Sequence, residues 1–473
     1  MQTGEGLTVN DRRSRCAPGR GNPAKGCRIA LVCALLSMAS PSNATTLQEA
    51  QGAFDKKQYQ ETVDAADRLL KEGKAGPEVR RLKARALLRL GKPKDAVVEY
   101  EALEQTLKQD DLPLLREISL SFVVVLVKDM REQMRGVAYT ALKDFDSPDT
   151  VPFLEDGLSD GSGLVRALAA EGLGKLEAGR RSPRLRKALE DQAGLVKAAV
   201  IKVLGKSGDR SVVPLLERAY KDEQAVVRLA AAGALFQSGQ PAMWEVVQKA
   251  ASAQNPEERA TALRMVGELK DARGLPILLE AMGNAQPSVR GAAASGLGEL
   301  GKVQAIPALE RALEDKIPAV RTSAAISLGE LGVKEAASAL KQALHDPNPV
   351  VKAAVISALL RIGEPAETVM PLAYELAQEK DPGTRSASAK ALGRAHGANV
   401  QAAVEFLAGM LKDPIPRPRI AAARSLGQIG GLELLPVLKS ALHDEDDGVR
   451  AAAGGAIGRI IGHRVKPANT TKS

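Results

Sequence analysis

A basic residue returns along this chain at a near-constant interval: Arg135, Arg166, Lys197, Arg228, Arg259, Arg290, Arg321, Lys352, Arg385, Arg419 and Arg450. The spacing is 31 residues seven times, then 33, 34 and 31. A fold built around one central core has no use for such a register. A sustained period of this length marks a stack of repeats in which each unit touches only its neighbours.

One unit, Val289–Ala319, reads VRGAAASGLGELGKVQAIPALERALEDKIPA. Val289, Ala292, Ala293, Leu297 and Leu300 recur at helical spacing and predict a first helix with one buried side. Gly301 follows, where a chain leaving a helix often needs positive φ; Gly208, Gly239, Gly332, Gly363 and Gly430 share that offset. Pro307 opens a second helix, because the first turn has no use for its missing N–H. Leu309, Ala312 and Leu313 are the buried side of that helix. Each unit is a helical hairpin that cannot bury its apolar face alone, so neighbours must stack. Small residues such as Gly298 and its counterpart Gly329 suit close helix approach. That is how a chain with only 3% aromatic residues can still pack. The fold class predicted is all-α, an α-α superhelix.

The pattern VRxxAAxxLGxLG…xPxLxxALxD resembles the short HEAT-like repeats of the phycobilin-lyase type. The resemblance covers residues 135–462, with a degenerate first unit over 109–134 that holds the apolar run Ile118–Val127. It implies a solenoid fold and little about function, because the repeat serves many unrelated tasks. Residues 45–108 differ. Glu61-Thr62-Val63 returns 34 residues later as Asp95-Ala96-Val97, and LLRLGKPKDAVVEYEAL resembles tetratricopeptide repeats. That resemblance leaves two roles open: a cap over the end of the solenoid, or a peptide-binding module.

Residues 1–44 read as an export leader: Arg28, the apolar run Ile29–Ala39, then Pro41-Ser42-Asn43-Ala44, with cleavage after Ala44. The run is too short to span a bilayer. Cys16, Cys27 and Cys33 are the chain's three cysteines, and all fall in this leader. A processed chain would therefore lack disulfides and thiolate chemistry. The leader also holds six basic and two acidic residues, so the net charge of +9 falls to +5 without it. Nucleic-acid binding is not implied. Residues 463–473 read as a polar, disordered tail.

Candidate chemistry is sparse. Six residues before the register residue stand Asp129, Asp160, Asp191, Asp222, Asp315, Asp346, Asp413 and Asp444, with Asn284 and Glu379 substituting and Ala253 breaking the series. Uniformity across repeats points to a structural tie in each inter-repeat turn, since a binding site would be confined to some units. Some HEAT-like enzymes, deoxyhypusine hydroxylase among them, carry repeated His-Glu pairs that hold iron. Here His345, His396, His443 and His463 include no such pair. Leu204-Gly205-Lys206-Ser207 is a repeat turn without the earlier glycine or the strand of a phosphate loop. No catalytic, cofactor or metal residue is assigned, and the chain is expected not to be an enzyme.

Binding remains. In HEAT-type solenoids, the resemblance implies, the second helices line the concave face. The basic positions there are Lys187, Arg218, Lys249, Arg311, Lys341 and Lys439. This stripe suits an acidic protein surface. Trp244, the one tryptophan, is either a contact residue or a filler where Phe236 replaces the usual glycine. The two longer repeats supply second-choice contact loops. The expectation is a non-catalytic protein-interaction scaffold, periplasmic or secreted, with no nucleic acid bound and no integral membrane segment after processing. The alternative is a cytoplasmic bilin lyase-like or other HEAT-repeat enzyme subunit.

Overall fold

The computed structural model describes residues 46–73 and 76–465. The stretch expected to be an export leader, with its cysteines, and the residues after 465 lie outside them; residues 463–465, expected to open a disordered tail, instead continue the last helix. Two helical hairpins come first: α1 (Leu47–Asp55) with α2 (Tyr59–Lys71), and α3 (Pro77–Arg89) with α4 (Pro93–Leu107). Helix α5 (Leu112–Val124) follows and carries most of the apolar run noted in the sequence. No helix among the described residues is long and apolar enough to cross a membrane.

Eleven first helices then carry the register residues. They are α6 (Glu132–Phe145), α7 (Gly163–Lys175), α8 (Gly194–Gly205), α9 (Ala225–Gln237), α10 (Pro256–Glu268) and α11 (Pro287–Leu300), followed by α12 (Pro318–Leu331), α13 (Pro349–Arg361), α14 (Pro382–Leu392), α15 (Pro416–Ile429) and α16 (Asp447–Val465). Shorter second helices alternate with them, such as Ile306–Ala312 with proline in its first turn. The glycine that ends a first helix takes positive φ as expected, 72° at Gly301 and 69° at Gly332. Asp146 and Lys270 hold the same left-handed corner at 49° and 56°, a conformation that disfavours a side chain.

The first helices pack against each other through their small residues. A Cβ on Gly329 of α12 would lie 2.7 Å from the Ala358 Cα of α13, and one on Gly427 of α15 would lie 2.7 Å from the Ala456 Cα of α16. Most second helices stand farther apart, though Tyr374 and Phe406 of two neighbours meet edge-on at 5.1 Å, and they leave clefts such as one of about 740 Å³ beside Asp156, Arg184 and Lys187. A row packed this closely beside a splayed row takes the inside of the curve, where the path is shorter. Side chains from alternate helices confirm it: Lys202 of α8 reaches Glu268 of α10 at 2.8 Å, over α9.

The curve closes. Helix α16 docks on α15, on α6 and on α5, so the last repeat meets the first. A Cβ on Gly455 would lie 2.8 Å from the Ala141 Cβ of α6, and Gly458 lies against the Phe145 ring. Ile118, Phe122, Ile457 and Ile460 share one buried cluster. The solenoid is a closed ring of eleven inner helices.

Paired charges tie neighbouring units together. Arg321 donates to the Asp346 carboxylate at 2.5 and 2.9 Å, and its other terminal nitrogen donates to the Asp315 carbonyl at 2.8 Å. Asp346 also accepts the Asn348 N–H at 2.8 Å, bracing the turn before α13. The same tie recurs at Arg135–Asp160, Arg166–Asp191, Arg290–Asp315 and Arg385–Asp413. The aspartates are structural ties rather than a recognition stripe. Two consecutive rungs are missing. Arg228 has only the carbonyls of its own turn, and the buried Nε of Arg259 has no partner. Between those rungs α9 and α10 make the loosest junction of the inner row. There Phe236 replaces the small residue that lets other helices approach.

Candidate functional site

The residues expected to bind a partner do not share one surface with the ring's interior. Lys187, Arg218, Lys249 and Arg311 are exposed, but they project from second helices, on the outer side of the curve. The expectation that second helices line the concave face is therefore reversed, because it is the Gly- and Ala-rich first helices that can approach closely enough to sit inside. Lys341 is held by Glu364 at 2.7 Å. Lys439 belongs to the closure: its ammonium meets Glu104 at 2.7 Å and Asp110 at 2.8 Å, 5.7 Å from the Tyr100 ring. Burial pulls the Lys439 ammonium down, yet the hydrogen bonds to Asp110 and Glu104 outweigh it and hold its pKa above the usual value.

Trp244 is only 3% exposed and cannot offer a contact surface. It fills the loose junction, tilted against Phe236 at 5.9 Å with the Arg273 guanidinium 4.5 Å over its ring. Its indole N–H donates to Gln248 at 3.1 Å. The expectation of a contact tryptophan is corrected to its alternative, a filler. His443 pairs with Glu101 at 2.7 Å across the closure, while His345 and His396 are exposed. Among the described residues no three His, Cys, Asp or Glu side chains gather as a metal site would require.

The unassigned surface is the inner one. Most first helices show it three positions, lying two residues before the register residue and five and nine after it; Gly233 of α9 and Gly448 and Gly455 of α16 are buried at such positions. In α11 these are Ser288, Ser295 and Glu299; everything between them is small or buried. The packing positions repeat from unit to unit and these do not. On α7, α8 and α9 the first position is Leu164, Leu195 and Val226, exposed by 55%, 56% and 38%. Leu195 and Val226 border a hollow of about 220 Å³ together with Ala199, Lys202, Gln237 and Arg264. The signal was in the sequence, as variation at fixed offsets within an otherwise monotonous repeat.

Charge on this inner surface is uneven, although α10 carries Arg264 as well as Glu268 and α7 carries Glu171 as well as Lys175. Glu268, Glu299 and Glu330 follow one another on α10, α11 and α12. Burial, then Glu299 beside it, raises the Glu330 carboxyl above its usual range, against the pull of Arg361 and Arg394. From α14 round through the closure to α7 the sign changes to Lys390, Arg394, Arg417, Arg424, Arg459 and Lys175. Burial, then Arg424 and Arg417 nearby, lowers the Lys390 ammonium. Burial lowers Lys175 as well; Asp144 opposes the shift, and Lys143 and Arg459 add to it.

Comparison with known proteins falls on this same region. A family model described as HEAT repeats matches residues 119–194, 182–252, 244–326, 312–393, 339–416 and 369–458. None of these matches reaches the hairpins of α1–α4, so their likeness to tetratricopeptide repeats rests on sequence spacing alone. No curated protein matches the chain significantly. Among solved structures, human deoxyhypusine hydroxylase in complex with glycerol aligns at 21% identity over 53% of this chain and 97% of its own, with a TM-score of 0.31. The complex of CpcE and CpcF of phycocyanin lyase from Nostoc sp. PCC7120 aligns at 25% identity over 41% and 79%, with a TM-score of 0.34. Kap95p bound to RanGDP aligns at 15% over 93% and 68%, with a TM-score of 0.33. At such scores these likenesses carry no functional argument.

Proposed function

The chain belongs to the HEAT-repeat family, and from that premise we propose that it is a non-catalytic interaction scaffold of the bacterial envelope, holding a polypeptide against the inner face of its ring. The observation that carries this reading is the row Leu164, Leu195 and Val226. Three large apolar side chains stand at one offset on three consecutive inner helices, two of them beside a hollow, and none of the described residues covers them. Contiguous exposed apolar surface next to polar groups is the usual mark of a protein contact. The envelope assignment is supported by the leader-like stretch Ile29–Ala44.

A photo-crosslinking residue at Leu195 tests the contact, with one at the outer Arg218 as control. The reading expects a discrete crosslinked polypeptide from the inner position only. Equal labelling from both positions, or none from Leu195, removes the inner-face assignment. Fractionation and the mass of the N-terminal peptide test the location separately. A periplasmic chain beginning at Thr45 supports it, and a cytoplasmic chain retaining residues 1–44 overturns it.

A further inference from the structure

The cations of the inner face stand close together with little to neutralise them. Lys390 and Arg394 lie on and just after α14, Arg417 and Arg424 on α15, Arg459 on α16 and Lys175 on α7. Among the described residues, Lys390, Arg394, Arg417 and Arg459 make no ion pair. Arg424 is held 3.2 Å from Asp144, which Lys175 also approaches at 3.6 Å. Asp381 lies within electrostatic reach of Arg417 and is already committed to capping α14 through the Thr384 N–H at 2.7 Å. Glu330 lies within electrostatic reach of Arg394. Asp146 also acts on Lys175, and Glu171 of α7 is paired with Lys143; the six cations still outnumber the acids around them, and their like charges crowd one another where the ring draws them together.

We propose that this basic arc, from α14 through the closure to α7, docks an acidic polypeptide segment lying along the inside of the ring. The proposal rests on the scaffold reading and adds the partner's chemistry and its place. Three features choose a polypeptide over other anions. First, the arc runs over five inner helices. At about 9 Å between packed helix axes it spans about 35 Å, the length of roughly eleven extended residues. A single phosphate or carboxylate would meet one pair of cations and leave the rest. Second, Glu299 and Glu330 stand on α11 and α12 outside the arc, with Glu268 of α10 paired to Lys202, so a uniformly anionic polymer such as nucleic acid is repelled where it passes those two helices. Third, the arc passes at α7 into the exposed row Leu164, Leu195 and Val226, which gives an acidic chain with apolar side chains a continuous track.

The test uses the full chain and a fluorescein-labelled peptide of about twelve residues, rich in Glu with two Leu, followed by fluorescence anisotropy. Expected results are saturable binding, weakened about tenfold between low and moderate salt, and a loss of at least about tenfold in the double variant Lys390→Glu with Arg394→Glu. Both side chains reach solvent, although the Lys390 ammonium stands in a crowded part of the ring, and thermal melting checks that the variant keeps its fold. Lys390→Gln with Arg394→Gln should fall between it and the parent. The outer pair Lys187→Glu with Arg218→Glu should bind as the parent does. Peptide binding that is absent, unchanged in the inner variants or weakened equally by the outer pair overturns the proposal. So does a single-stranded oligonucleotide of the same length that displaces the peptide and binds more tightly. Crosslinking from Leu195 separates the two levels. A discrete crosslinked partner together with a peptide that does not bind sinks the acidic docking and leaves the scaffold standing.

Discussion

The Arg424 guanidinium lies 3.2 Å from the Asp144 carboxylate, although 280 positions separate them in the chain. Arg424 leaves α15 and Asp144 leaves α6, so the pair bridges over α16 on the inner side of the ring. Lys439 to Glu104 makes a second bridge at a separation of 335, between the last second helix and α4. An open solenoid would bring neither pair together. Closure replaces two exposed end faces with one more buried interface, and the small residues of α16 permit it.

Gly454 of α16 faces the Ser119 carbonyl of α5 with no room for a Cβ. Gly454→Val should unseat α16 and open the ring. Small-angle scattering should then report a larger radius of gyration while circular dichroism keeps its helical signal. Lys439→Met should cost about 2 kcal/mol without opening it, because the ammonium is partly buried and two acids lose their partner. A compact Gly454→Val variant would show that closure does not depend on that contact.

The ladder predicts unequal costs for equal substitutions. Arg321→Ala strands the Asp346 carboxylate, whose side chain is only 5% exposed, and should cost about 3 kcal/mol. Arg259→Ala removes a guanidinium with no acid to leave behind and should cost about 1 kcal/mol through lost stem packing. Urea unfolding of the two variants makes the comparison, and equal costs would remove the ladder from the account of stability.

Acid should weaken the ring through the same pairs. Asp191, Asp315 and Asp413 lie below the usual 3.8, chiefly through hydrogen bonds from Arg166, Arg290 and Arg385. A carboxylate whose pKa is lower folded than unfolded contributes stability above its unfolded value and loses it as pH falls through the folded one. Urea midpoints should be flat through neutral pH and decline below pH 3.8, with Asp315→Asn showing a shallower decline than the parent.

The junction of α9 and α10 separates packing from binding. Trp244→Ala should cost about 4 kcal/mol, the range for emptying a buried aromatic site. Trp244→Phe should recover most of that and leave crosslinking from Leu195 intact. Loss of crosslinking in a well-folded Trp244→Phe variant would return Trp244 to the contact surface.

The sequence by itself determined the unit and its bonds to the next unit. The register residue, the glycine at a positive-φ corner, the proline opening the second helix and the aspartate tied to a neighbouring arginine are all local in a repeat. Each is legible because it depends on residues within one period. Which helix row faces inward and whether the ends meet were decided only by the tertiary structure. A small rotation per unit, set by how closely Gly329 and Gly427 let backbones approach, accumulates over eleven units into a turn that no single repeat displays. That is why Lys439 read as a free cation and is a latch, and why the basic arc of α14–α16 and α7 was invisible. Its members come from both ends of the repeat array, brought together only when the ring closes.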